Sequence, residues 1–203
     1  MKTKTNKLGI TEQNFRKLQQ LTVEHVDEET RTVTLSATSE FAVKRYDWGN
    51  REYYMEILSH DPADVDLSRM NDGGPVLDRH FGDQIGVVEE MTIKDKRSYV
   101  KIRFSENPRA DEIYKDVIAK IRRNVSAGYN LTGITKTEDP ENGEGLKKVY
   151  FRWMPYEVSF EPVPADPTVG VGRSKENTQI ELDLPQVETR KEREHNTTII
   201  IQY

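Results

Sequence analysis

The chain has 203 residues, of which 34% are hydrophobic and 32% charged, and its net charge is −5. That length accommodates one ordinary domain plus a tail, and the acidic balance argues against nucleic acid as the main partner. Cysteine is absent, which excludes disulfides, thiol nucleophiles and thiolate metal sites, and no apolar stretch approaches the roughly 20 residues of a membrane span.

The opening, MKTKTNKLGITEQNF, is basic but lacks the apolar run of a signal peptide, so the protein is expected to be soluble and to act where it is made. Residues 1–30 form a mixed, charged extension with a weak helical phase through Phe15, Leu18 and Leu21. From Thr32 the pattern turns to β in TVTLSA, EFAVKRY and REYYMEIL, which are rich in Val, Thr, Tyr and Ile. SHDPADVDLSRMNDGGP is full of turn formers and predicts an ordered surface loop or a short helix. PVLDRHF is a short apolar run ending at a histidine. QIGVVEEMTI and RSYVKIRF then predict a hairpin that turns around Lys94, Asp95 and Lys96.

Asn107 can cap a helix with Pro108 in its first position. Ala110, Ile113, Tyr114, Val117, Ile118 and Ile121 fall on one face of that helix. In RRNVSAGYNL a pleated strand would turn Val125, Ala127, Tyr129 and Leu131 to one side and Ser126 to the other, beside Gly128. EDPENGEG is a polar loop. LKKVYFRW and PYEVSFEPV read as two strands broken at Met154–Pro155, with Tyr156, Val158 and Phe160 alternating against Glu157, Ser159 and Glu161. PADPTVGVGR closes the folded part, residues 31–174, and the charged, aperiodic residues 175–203 predict a disordered tail. The fold class is α+β and mainly β, a many-stranded antiparallel, barrel-like domain flanked by one or two helices.

Serine chemistry needs a base and an acid to orient it. Of the four histidines, His25 and His195 lie in charged end segments and His60 in a turn-rich loop. His80 alone ends an apolar run and precedes a strand by a short glycine-containing link. It reads as a base for Ser126, or as a structural histidine bonded to a backbone carbonyl. Glu157 reads as the acid or as part of a solvated strand face, and Ser159 is the rival nucleophile. Metal, calcium-loop and phosphate-loop patterns are absent from the sequence, so no cofactor is implied.

VDLSRMNDGGPVLDRHFGDQIGVVEE resembles the histidine region of the prohead, or head-maturation, proteases of tailed bacteriophages. IRRNVSAGYNL is similar to that family's nucleophile strand, and RWMPYEVSFEPVPADPTVGVGRS to its Glu-Val-Ser plus Pro-Ala-Asp ending. RTVTLSATSEFAVKRY resembles the opening strands, so the likeness covers roughly residues 30–174. It implies a serine endopeptidase related in fold to herpesvirus assemblin, with Ser126 as nucleophile, His80 as general base and Glu157 as orienting acid. Assemblin-like relatives use a second histidine in the third role, for which His60 is the substitute here. The family pattern also carries glycine just before the serine, where this chain has Lys120 and Asn124.

The resemblance implies action in the host bacterial cytoplasm, inside an assembling procapsid. The substrate would be scaffold or major capsid protein and the enzyme itself, with self-association among its partners. It implies neither nucleic acid nor membrane as a partner. A catalytically silent β domain serving capsid assembly or scaffolding would carry the same sequence features.

Overall fold

The computed structural model of the protein describes residues 25–173. The weak helical phase through Phe15, Leu18 and Leu21 and the tail 175–203 lie outside the described residues. Within them nine strands form one sheet: β1 His25–Asp27, β2 Thr32–Ser39, β3 Val43–Asp47, β4 Glu52–Leu58, β5 Pro75–Leu77, β6 Gln84–Lys94, β7 Arg97–Phe104, β8 Val125–Glu138 and β9 Lys148–Phe160. Two helices, α1 Ser68–Asn71 and α2 Pro108–Ile118, accompany it.

β9 organises the sheet. β8 pairs antiparallel along its length. The other edge of β9 is taken in succession by β4 at Lys148–Phe151, by Val65 at Trp153 and by β5 at Val158–Ser159, all parallel to it. Residues 55–77 thus run alongside β9 with two excursions, the first carrying His60 and the second α1. The β3–β4 hairpin grows from one end of that edge, and β5 leads from the other end to β6, β7, β2 and β1. Two wings that leave the same edge of one strand do not meet. The expected barrel is therefore an open, mixed parallel and antiparallel sheet, and the mainly-β class with two short helices stands.

The local signals explain most elements. Asp95 and Lys96 both take positive φ, 50° and 59°, as a two-residue turn matched to strand twist requires. The Asn107 side chain accepts a 2.8 Å bond from the Ala110 amide, and Pro108 opens α2 without wasting a donor. Ala110, Ile113, Tyr114 and Val117 are buried against the sheet, with the Tyr114 ring 5.2 Å from that of Phe104. Ile121, expected on this face, is exposed instead. The helix ends at Ile118, and Lys120 at φ 60° turns the chain away.

The expected break at Met154–Pro155 is absent, and β9 runs continuously through both residues. A bulge makes this possible: Gly128 faces Glu157 while Tyr129 faces Pro155, leaving Tyr156 as the extra residue. Proline has no N–H to lose there, so a bulge tolerates it. The extra residue also resets the alternation. Val158 and Phe160 are buried as expected, whereas Tyr156 is exposed and Leu131 on β8 faces solvent. Tyr129 reaches β4, where its hydroxyl bonds the buried Glu56 carboxylate, and burial pushes that phenol up to about 12.

His60 is buried beneath the sheet, its ring 5.4 Å from that of Trp153. Nδ1–H donates to the Leu58 carbonyl at 2.9 Å, so Nε2 accepts the Thr38 hydroxyl at 2.8 Å. Burial holds this imidazole below its ordinary value. An unfolded chain therefore takes up a proton that the folded one refuses, and the stabilisation is full above about pH 6.5 and lost as the pH falls through the folded value. Urea unfolding at pH 8 should show His60→Gln less stable by roughly 1–3 kcal/mol, a deficit that shrinks as the pH is lowered below 6.5.

Candidate active site

Glu157 and Ser159 are two residues apart on β9 and share a face, on which Gly128 and Ser126 of β8 stand directly opposite them. Ser126 is half-buried, while Glu157 and Ser159 are 3% and 0% exposed. Gly128 is what lets the acid lie flat over the strand. A Cβ there would sit 2.5 Å from Glu157 Oε1 and 2.5 Å from the Tyr156 ring, closer than any side chain allows. The bulge at Tyr156 brings both side chains over that one residue.

His80 reaches this face from the loop after β5, whose pairing with Val158 and Ser159 delivers the loop to β9. The loop is pinned at several points. The Asp78 amide donates to the Asp83 carbonyl at 2.9 Å and the Gly82 amide to Arg79 at 3.0 Å. Gly82 admits no side chain, since a Cβ would fall 1.6 Å from the Asp78 carbonyl oxygen. The Asp78 carboxylate, 3% exposed, accepts from Arg109 of α2 and, at 2.6 Å, from Arg122 just before β8. Burial alone would push this carboxyl up, but the two guanidinium groups together hold it below its usual range. The His80 amide donates to Glu161 Oε1 at 2.6 Å.

The His80 ring is partly exposed, and its Nδ1 lies 2.6 Å from Glu157 Oε1. A carboxylate at that distance fixes the tautomer, because Nδ1–H donates to it and Nε2 keeps the lone pair. Burial pushes the Glu157 carboxyl up, against the pull of His80, and its Oε2 has no hydrogen-bond partner among the described residues. Ser159 Oγ is 3.2 Å from the same Nδ1. Since that nitrogen's proton is committed to Glu157 and Ser159 is fully buried, Ser159 is poorly placed to be the accessible nucleophile. No hydrogen bond joins Ser126 Oγ to the His80 ring. Nucleophile–base contacts often form only once substrate binds.

The three residues singled out in the sequence thus share one face, with His80 and Glu157 in contact and Ser126 across the ladder from Ser159. His60 bonds Leu58 and Thr38, and its ring nitrogens are both occupied away from His80. His25 lies on the exposed strand β1 and His195 outside the described residues. Asp78, Arg109 and Arg122 carry no mark in the sequence as a set, because they meet only when the β5 loop, α2 and β8 converge. Glu161 is legible as the next member of the Glu157–Ser159 alternation, but its bond to the His80 amide is not.

With this geometry in view, the similarity to known proteins is to a component of the phage head. Over 169 residues, 81% of the chain, the sequence is 40% identical to the major capsid protein of Halomonas phage phiHAP-1. The chain spans 27% of that relative's length, so it is homologous to one region of a phage capsid polypeptide. No family model matches the chain, and no solved structure matches it.

Two substitutions test the framework. Gly128→Ala should displace Glu157, cost about 1–3 kcal/mol in urea unfolding, and abolish the downfield proton resonance expected of His80 Nδ1–H. Persistence of that resonance would show that the glycine is not needed for the contact. Asp78→Asn should destabilise by roughly 2 kcal/mol at pH 7. Because the Asp78 value is depressed, its contribution is full above the ordinary carboxyl value and lost as the pH falls through the folded one, so the difference should narrow in acid.

Proposed function

We propose that this chain is the head-maturation region of a phage capsid polypeptide and that it acts there as a serine endopeptidase. Function in phage head assembly is supported by the similarity to a major capsid protein. The enzymatic reading is carried by one observation: a partly exposed imidazole whose Nδ1 is held at 2.6 Å by a buried carboxylate, on the face that also bears Ser126.

In this reading the Ser126 hydroxyl attacks a peptide carbonyl while His80 Nε2 accepts its proton. His80 returns that proton to the departing amine, leaving an acyl group on Ser126. Water then attacks the acyl carbon, again giving its proton to Nε2, and Ser126 regains the hydrogen as the acid product leaves. Glu157 keeps Nδ1–H in place and balances the imidazolium charge that forms in each half-reaction. The substrates are capsid or scaffold polypeptides inside the procapsid, the chain's own polypeptide included.

A second reading keeps the head and drops the chemistry, making the region a silent assembly module. It is favoured by the absence of a Ser126–His80 hydrogen bond, and the capsid similarity supports it directly. Intact-mass spectrometry of the purified protein and its Ser126→Ala variant, incubated with the cognate capsid polypeptide, separates the two. Proteolysis by the wild type, reduced at least ~10³-fold in the variant, is the expected result. Unchanged masses in both, with the fold verified, would establish the assembly module.

A further inference from the structure

Beside the His80 loop lies a cleft of about 570 Å³ walled by four arginines, Arg79, Arg109, Arg122 and Arg123. Its position relative to the candidate site is fixed by sequence and bonding. Arg79 precedes His80, Asn124 lies two residues before Ser126, and Glu161, which accepts the His80 amide, forms part of the wall. Ile121 and Phe160 add apolar surface.

Two of the four arginines are paired and two are not. Arg109 and Arg122 share the buried Asp78 carboxylate, Arg109 also meets Glu112 at 3.3 Å and Arg122 meets Asp116 at 3.4 Å, and Glu161 Oε1 is committed to the His80 amide at 2.6 Å. Among the described residues Arg79 and Arg123 have no carboxylate partner, and the Arg123 guanidinium makes one bond there, a 3.4 Å contact from Nε to the Val171 carbonyl. Both are exposed at the mouth. Arg79 is held at φ 68°, a left-handed backbone that is unfavourable for a non-glycine residue. The pinned loop imposes that conformation, and it fixes where the arginine leaves the chain. Across the molecule the net charge is −5, so this concentration of guanidinium groups runs against the overall balance.

We propose that this cleft is a substrate subsite that takes an acidic side chain of a polypeptide, with Arg79 and Arg123 supplying the carboxylate contacts. Guanidinium forks match a carboxylate in two parallel hydrogen bonds, and the apolar wall accepts the methylene stem that carries it. The assignment rests on the serine-protease reading for its biological meaning, but its physical content, preference for a glutamate over its neutral isostere, does not.

The test uses the full-length Ser126→Ala chain and two fluorescein-labelled peptides, Ala-Leu-Ala-Glu-Ala-Leu-Ala and the same sequence with Gln for Glu. Binding of the Glu peptide should be at least about tenfold tighter at low salt, and the advantage should shrink as salt screens it. It should fall below about twofold when Arg79→Gln and Arg123→Gln are combined. Both arginines are exposed, so these variants should keep the wild-type unfolding midpoint. Equal affinity for the two peptides overturns the proposal. So does displacement of the Glu peptide by a single-stranded oligonucleotide that binds more tightly, which would assign the cleft to a phosphate backbone. Wild-type protein incubated with the cognate capsid polypeptide reads the other question: persistent Glu preference for the peptides without cleavage of that polypeptide refutes the protease and leaves the subsite in place.

Discussion

The constraint on which the structure turns is the division of β9 between two kinds of neighbour. One edge is occupied by a single long antiparallel partner, β8, and the other by short parallel segments that arrive from far earlier in the chain. The antiparallel ladder sets Ser126, Gly128, Glu157 and Ser159 in fixed register on one face. The parallel pairing with β5 brings the His80 loop to that same face. Regular strands position side chains more tightly than loops can, and here two of the three candidate groups stand on strands. The third stands on a loop tied down by the Asp78 carboxylate between two arginines.

Buried charge is used twice, with opposite balance. At Asp78 two guanidinium groups outweigh the cost of burial, so the carboxyl is held below its usual range and acts as a structural anchor. At Glu157 burial outweighs His80 and the smaller pull of Ser159 and Gly128, and one carboxylate oxygen is left without a partner among the described residues. Such an incompletely satisfied group is costly to fold, and it persists where the surrounding framework over-determines it.

The elements legible in the sequence are those whose causes are local. Asn107 and Pro108 announce α2, the Lys94–Lys96 stretch announces the β6–β7 hairpin, and alternation places Ser126 opposite the buried Val125 and Ala127. Pro155 misleads because its effect depends on a bulge in the partner register, which a single strand does not disclose. The barrel expectation fails for the same reason: parallel pairing of residues 55–77 with β9 joins segments about eighty to ninety positions apart and leaves no mark in either one. Ser126, His80 and Glu157 were visible through alternation and family resemblance together. Asp78 and its arginines were not, since an ion pair between three distant segments has no sequence period.

The late position of β9 in the chain has a consequence for the order of events during synthesis. The His80 loop, α2 and the Ser126 strand all emerge from the ribosome before the strand that must receive them. Until Glu157 and Ser159 have followed, β4 and β5 have no parallel partner, the imidazole has no acid, and β8 has nothing to pair with along its length. A nascent polypeptide therefore carries the candidate nucleophile without the means to activate it, and the last of the described strands is the one that completes the site. For a polypeptide that would cut its own kind, that ordering defers any chemistry until the domain has closed around it.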